Sequence, residues 1–211
     1  MVSTTHIGEC PEKTSRIIEV AQNRFGLYGF EKTTMNEIAS DLNISKGSLY
    51  YYFPDKESLY IAVIQKEHDV FIHLVTEKIA SLSDPAQMIR EYVNIRLSYF
   101  HTLLNLSRFR HNNNMWELHS MMHQQWAVFK IQEEGLIADV LTYGVKEAFF
   151  EIENIHDIAE LLLDIIKGLS MSLVKNKDIF YLEDTEYDKL FKKINLFVEM
   201  FIKSLKRQHI S

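Results

Sequence analysis

Hydrophobic positions in the first sixty residues fall into short helical stripes, and beyond them into long unbroken ones. Ile17, Ile18, Ala21 and Phe25 recur at helical spacing, and Met35, Ile38, Ala39 and Leu42 then repeat at i, i+3, i+4 and i+7. That second pattern predicts a short helix with one buried face. Thr34, with Glu37 three residues later, is a capping box that fixes its start, and the helix is expected to stop near Leu42. Asn43-Ile44-Ser45 supplies a polar turn with one apolar plug, Ile44. Ser45 caps a second helix over about Lys46 to Tyr52, and Pro54 closes it. Two short helices joined by a tight turn make a helix-turn-helix, the unit that places its second helix in the DNA major groove.

The second helix matters for what it leaves outside. With Leu49 and Phe53 facing inward four residues apart, Lys46, Gly47, Ser48, Tyr50, Tyr51 and Tyr52 share the remaining surface. Apart from Gly47, each can donate hydrogen bonds to phosphates or base edges. Glycine inside a helix costs about 1 kcal/mol relative to alanine, and a backbone lying close against a DNA strand is a physical reason to keep it. The competing reading of the three tyrosines is a hydrophobic plug with hydroxyls at its rim.

Downstream the pattern is that of one long helical body. Lys56 to about Leu82 carries Leu59, Ile61, Ala62, Val63, Ile64, Val70, Phe71, Leu74 and Val75 without a breaker, which predicts a helix of about 35–40 Å joining two modules. Asp84-Pro85 starts another helix that runs to about Thr102. After the polar break His111-Asn112-Asn113-Asn114, Met115 to about Val145 reads as one helix or two. Near the C-terminus, Ile158, Leu161, Leu162, Ile165, Ile166, Leu169 and Leu173 line a helix from about Ile155 to Lys175. Leu190, Ile194, Phe197, Val198, Phe201 and Leu205 line a second from about Thr185 to Lys206. These stripes bury either within the chain or against a second copy.

Between the modules, aromatic, methionine and histidine side chains gather: Phe100, His101, Trp116, His119, Met122, Gln125, Trp126 and Phe129, with Phe109, Met115 and Met121 beside them. Soft, adaptable side chains of this kind suit a pocket for a hydrophobic small molecule as well as an ordinary core. His119 and His123 stand at i and i+4, a spacing that can hold a divalent metal if a third ligand such as Glu117, His111 or His101 joins them. The pair lacks the glutamate that a zinc-protease helix places directly after its first histidine. No nucleophile–base spacing or phosphate-cradling glycine loop stands out, so no enzymatic activity, cofactor or resident metal is expected.

Composition narrows the class. In 211 residues, 46% are hydrophobic and only 7 are glycine and 3 proline, which favours an all-α fold over an all-β one. The lone Cys10 permits no disulfide within the chain, and no apolar run approaches the ~20 residues of a membrane span. The N-terminal Met-Val-Ser-Thr-Thr-His lacks a basic region followed by an apolar one, so neither a secretion signal nor a membrane partner is expected and the cytoplasm is the natural setting. Charge cuts the other way. The chain carries a net −6, and residues 1–60 hold six basic against eight acidic side chains, the reverse of what counterion release from DNA favours. Binding must therefore rest on local placement, dimeric geometry and uncharged donors.

The stretch from about Pro11 to Leu59 resembles the DNA-binding domain of the tetracycline-repressor (TetR) family of bacterial regulators. The residues that carry the likeness are the Gly-Phe-Glu-Lys-Thr-Thr entry at Gly29 to Thr34 and Leu-Tyr-Tyr-Tyr-Phe-x-x-Lys at Leu49 to Lys56. Beyond Leu59 only length and helical character agree. The resemblance implies a tail over 1–10, a three-helix DNA-binding domain over 11–56, and an effector-binding and dimerisation domain over 57–211, in about nine helices altogether. It implies a repressor that binds a palindromic double-stranded DNA operator as a homodimer and is released by a hydrophobic small-molecule effector. Residue by residue, Lys46, Gly47, Ser48, Tyr50, Tyr51 and Tyr52 would face the groove, with Thr34 and Lys56 clamping the backbone. Met35 and Asn36 depart from the family's small or basic residues. The dimer would bury Leu162, Ile166, Leu169, Ile194, Phe197 and Phe201. Alternatives are a DNA-binding regulator controlled by a protein partner or a metal, and an enzyme housed in the helical body.

Overall fold

The computed structural model describes residues 11–107, 114–174 and 184–206, and among them it is helical throughout. Eight helices follow in order: α1 (Pro11–Tyr28), α2 (Met35–Asp41), α3 (Lys46–Tyr52), α4 (Lys56–Ala80), α5 (Pro85–Ser107), α6 (Asn114–Lys146), α7 (Ile155–Val174) and α8 (Asp184–Leu205). The expected count was about nine. Met115 to Val145, read as one helix or two, is a single helix. None of the described helices is long and apolar enough to cross a membrane.

Local chemistry fixes the breaks. Gly29 ends α1 in the left-handed region, at φ 81, with its N–H bonded to the Phe25 carbonyl at 2.8 Å. Thr33, fully buried, donates its hydroxyl to the Gly29 carbonyl at 2.8 Å and ties the turn shut. Asn43 takes φ 55 at the α2–α3 corner, a conformation that asparagine tolerates better than most residues. At the far end of α6, a side chain on Gly144 would meet the Phe150 ring at 2.2 Å, so only glycine lets that turn fold back. Glu151 N–H then bonds the Leu205 carbonyl at 2.9 Å, pinning the turn to the end of α8.

Two apolar cores result. The head core gathers Ile17, Ala21 and Phe25 of α1, Ile38 of α2, Leu49 of α3, and Leu59, Tyr60, Val63 and Ile64 of α4, and it also takes in Met122 and Phe129 of α6. The body core begins further along α4, at Phe71 and Val75, and continues through α5 to α8. The connecting helix, about 38 Å long at 1.5 Å per residue, is thus a shared wall rather than a spacer. Phe25, Phe30 and Tyr60 pack ring to ring at 4.9–5.9 Å across the α1–α4 contact. Beside them, Gln22 donates to the half-buried Glu67, and Lys66 reaches Glu19 at 3.7 Å.

The C-terminal pair buries most of its apolar residues within the chain. Leu162, Ile166, Ile194 and Phe201 are buried within a single chain, at 0, 0, 0 and 7% exposure, where they pack on the other helices of the body. Leu169 and Phe197 are half-buried at the rim of the same core. The apolar side chains left outside are Leu161 and Met171 on α7 and Leu196 and Met200 on α8, the last two about 65% exposed. Leu161 belonged to the stripe read on α7, whereas Leu196 and Met200 fall outside the one read on α8.

Candidate nucleic-acid interface and interior chamber

The helix-turn-helix is held as a rigid corner. Thr34 caps α2 with a β-region backbone; its hydroxyl oxygen accepts from the Glu37 N–H at 3.3 Å while Glu37 accepts from the Thr34 N–H at 2.8 Å. Ser45 caps α3 by accepting from the Ser48 N–H at 3.1 Å, and fully buried Leu49 nails that helix to the head core. Asp55 and Ser58 form a third such cap at the start of α4. Arg24 of α1 braces the assembly from behind, reaching Glu37 at 3.1 Å and Asp41 at 2.6 Å while standing 5.3 Å over the Tyr28 ring. Hydrogen bonds from Thr34 hold the Glu37 carboxyl below its ordinary range, and Arg24 does the same for Asp41. Arg24 thus partners two of the head's eight acids, and Lys66 of α4 partners a third, Glu19, which softens the local negative charge.

What remains outside is the face of α3. Lys46, Gly47, Tyr50 and Tyr51 are exposed, Tyr51 by 72%, and Ser48 and Tyr52 are half-buried. A hydrophobic plug would hide these rings, and Tyr51 is instead among the most exposed aromatics described. Lys46 Nζ lies 5.6 Å from the Tyr50 ring centre, and Tyr51 and Tyr52 meet edge to face at 5.2 Å. Adding a Cβ to Gly47 would touch nothing nearer than Ser45 Oγ at 3.9 Å, so no neighbour within the chain requires glycine there. Beside the helix a groove of about 280 Å³ is lined by Thr34, Asn36, Lys46, Tyr50 and Lys56, with Glu31 at its edge. Lys56 is turned inward: its ammonium donates to the Phe30 carbonyl at 2.9 Å and sits 4.2 Å over the Phe30 ring, and burial lowers its pKa.

The sequence pattern overlooked a second basic group. Lys13 and Arg16, three apart on α1, line a groove of about 220 Å³ together with Glu12 and Ile17 of the same helix and Leu42 and Ile44 of the helix-turn-helix corner, and Lys13 Nζ stands 5.4 Å over the Tyr52 ring. Their i, i+3 spacing was visible, but their neighbours in the fold were not.

In the body, the residues expected to line a chamber separate. Met122 and Phe129 are buried, and Phe100 and Trp126 half-buried, all packed against the head core. His101 instead faces α8, its ring 4.9 Å from Tyr187. Gln125 is half-buried with its side-chain oxygen fully enclosed. The side chains of Trp116 and His119 lie outside the described residues; His123 is exposed, and among the described residues no three His, Cys, Asp or Glu side chains gather as a metal site.

At the same place lies a polar cluster that the sequence did not signal. Glu133 of α6, 6% exposed, accepts from the Tyr92 hydroxyl at 2.5 Å and from Arg96 Nε at 2.6 Å. Burial, with the Glu133 charge beside it, keeps the Tyr92 hydroxyl protonated. His68 of α4 is fully buried nearby, and burial lowers its pKa below the ordinary value despite the opposing pull of Glu133. The unfolded chain takes up a proton near pH ~6.5 that the folded imidazole resists. Stability is therefore full above that pH and declines as pH falls from ~6.5 toward the lower folded value. Melting curves between pH 7.5 and 5 should show this decline in the wild type and a shallower one in His68→Leu; identical slopes would exclude His68 as a source.

Comparison with known proteins places these features. The profile of the bacterial regulatory proteins of the tetR family matches residues 17–63, which span α1 to the start of α4. A crystal structure of a transcriptional regulator from Cytophaga hutchinsonii is 37% identical, with a TM-score of 0.86, covering 92% of this chain and 99% of that one. The HTH-type transcriptional regulator RutR of Escherichia coli is 34% identical over 85 residues, so the match spans 40% of this chain and 40% of that relative's length. The fatty acid degradation regulator FadR of Bacillus halodurans shares the fold alone, at 17% identity and a TM-score of 0.66.

Proposed function

The chain belongs to the TetR family of transcriptional regulators, and from that premise we propose that it is a repressor that binds a palindromic operator as a homodimer and is released by a hydrophobic small molecule. The observation that carries the DNA-binding part is the outward face of α3, where Lys46, Gly47, Ser48 and Tyr50 to Tyr52 stand beside a groove shared with Thr34. Lys46, Ser48 and the tyrosines contact base edges and phosphates, Thr34 binds the flanking phosphate, and Lys13 and Arg16 of α1 place two of the head's six basic side chains beside them. Lys56 joins them only at the inner end of the groove. Its first task is to hold the Phe30 loop, so Lys56→Ala would disturb the fold as well as binding.

Gly47 and Tyr50 give the cleaner test. Tyr50→Ala should weaken operator binding by about 1–3 kcal/mol with the melting temperature unchanged. Gly47→Ala should raise helix stability by up to ~1 kcal/mol, because its Cβ makes only an ordinary contact with Ser45 Oγ at 3.9 Å, yet weaken binding where that Cβ meets DNA. Unaltered gel-shift affinity in both variants would remove α3 as the reading helix.

Dimerisation is assigned to the apolar side chains outside the body: Leu161 and Met171 of α7 with Leu196 and Met200 of α8. Gly168, between them on α7, has nothing within 4 Å of a built Cβ, which leaves room for a partner helix to approach closely. Two heads on a twofold axis read half-sites one helical turn apart, ~34–36 Å, or a multiple of that.

Gating follows from the shared wall. A ligand among Met122, Gln125, Trp126 and Phe129 must bind the DNA-incompetent arrangement better than the competent one to shift the balance at all. Met122 and Phe129 pack directly into the head core, and α4 ties that core to α1 through Gln22 and Glu67. Displacing those side chains tilts α4 and alters the separation of the two heads, releasing both half-sites together.

A further inference from the structure

The junction of α4, α5 and α6 holds more buried polar groups than its packing satisfies. The His68 ring stacks on Phe129 with 3.7 Å between centroids and lies 5.9 Å from the Tyr99 ring. Among the described residues neither ring nitrogen of His68 has a hydrogen-bond partner, and the enclosed Tyr99 hydroxyl and Gln125 side-chain oxygen also have none. Gln125 sits one helical turn before Phe129 on α6. Three helices thus each bring an unmatched polar side chain to one apolar neighbourhood walled by Phe71, Phe129 and Trp126. Natural interiors rarely leave such groups unsatisfied.

The formal charges close by are already committed. Glu133 accepts from both Tyr92 and Arg96, so the buried cation and anion neutralise each other. Burial keeps His68 uncharged at neutral pH. The groups that the rings of this neighbourhood enclose are an imidazole N–H and its lone pair, a phenol hydroxyl and an amide oxygen: neutral groups, both donors and acceptors. A carboxylate or ammonium brought here would be a buried charge without a free partner, which is strongly disfavoured.

We infer that the chamber takes an uncharged ligand with an apolar body and one group that both donates and accepts hydrogen bonds, a hydroxyl or a primary amide, held by His68, Tyr99 and Gln125. This rests on the ligand-gated reading and specifies its chemistry. An apolar tail lies along Met122, Trp126 and Phe129, and the polar group satisfies the three side chains at once.

The test uses four ten-carbon probes on the full chain at pH 7.5, below their aggregation limits: decan-1-ol, decanamide, decanoate and decylammonium. Binding is read by thermal shift and tryptophan fluorescence. Decan-1-ol and decanamide should bind at least ~10-fold tighter than either charged probe. His68→Leu and Tyr99→Phe, each melting at or above the wild-type temperature, should each weaken decan-1-ol by roughly 3- to 10-fold. Equal or tighter binding of decanoate or decylammonium would overturn the ligand class and leave ligand gating standing. Tight decan-1-ol binding unchanged in both variants would overturn the assignment of the polar contacts. Binding of none of the four up to their aggregation limits would overturn the proposal and the chamber reading together.

Discussion

Replacing Glu133 by alanine should destabilise the chain by about 3–5 kcal/mol, the cost of leaving a buried partner charge alone. Glu133 anchors α6 to α5 through Tyr92 and Arg96, and its loss strands the Arg96 guanidinium, whose side chain is only 14% exposed. For a chain of this size the melting temperature should fall by roughly 6–20 °C. The triple replacement Glu133→Leu, Arg96→Met and Tyr92→Phe should recover most of that loss, because apolar side chains of similar volume avoid desolvating two charges and leave no buried hydroxyl unmatched. Urea denaturation of the single and triple variants measures both effects. A single-variant loss below ~1 kcal/mol would mean that the pair is hydrated and contributes as a surface bridge does.

The second large effect concerns assembly. Leu196→Glu places a charge on an exposed apolar position of α8, so the subunit should fold normally while the dimer dissociates. With only one head per molecule, operator affinity should drop by about 10²–10⁴-fold, the advantage lost when two linked binding events become one. Phe201→Glu is the contrasting control: Phe201 is 7% exposed within one chain, so its replacement should unfold the body. Light scattering separates the two outcomes. A Leu196→Glu protein that remains a dimer at micromolar concentration would move the interface elsewhere.

Local signals in the sequence were read well, and distant ones were not. The bounds of α2 and α3 followed from Thr34, Glu37, Ser45 and Pro54, residues that act within one turn of themselves. The exposed face of α3 followed from Leu49 and Phe53, both buried. The Glu133–Tyr92–Arg96 cluster was invisible because its members lie 37 and 41 residues apart, and no periodicity encodes which helix a glutamate will face. The brace from Arg24 to Asp41, across 17 residues, escaped for the same reason. The stripe Leu162–Ile166 was recognised as apolar, and within the chain it packs on the body core. Hydrophobic period reports that a face is covered, not whether the cover is the same chain or another. His101 parted from the chamber because a one-residue step along α5 turns a side chain by about 100°, from the head core toward α8.

The sharing of α4 and α6 between the two cores bears on modularity. Regulators of this architecture invite exchange of reading heads, with one protein's DNA specificity grafted onto another's sensor. In this chain a cut at residue 56 would sever the head from Leu59, Tyr60, Val63 and Ile64, and from Met122 and Phe129 some sixty residues further on. A transplanted head would arrive without part of its own interior, and the recipient's helices would have to supply matching side chains. The unit that can be inherited or engineered intact is therefore the head together with the helix faces that close it, and a new operator preference is more readily reached by substitutions on the surface of α3 than by swapping the segment whole.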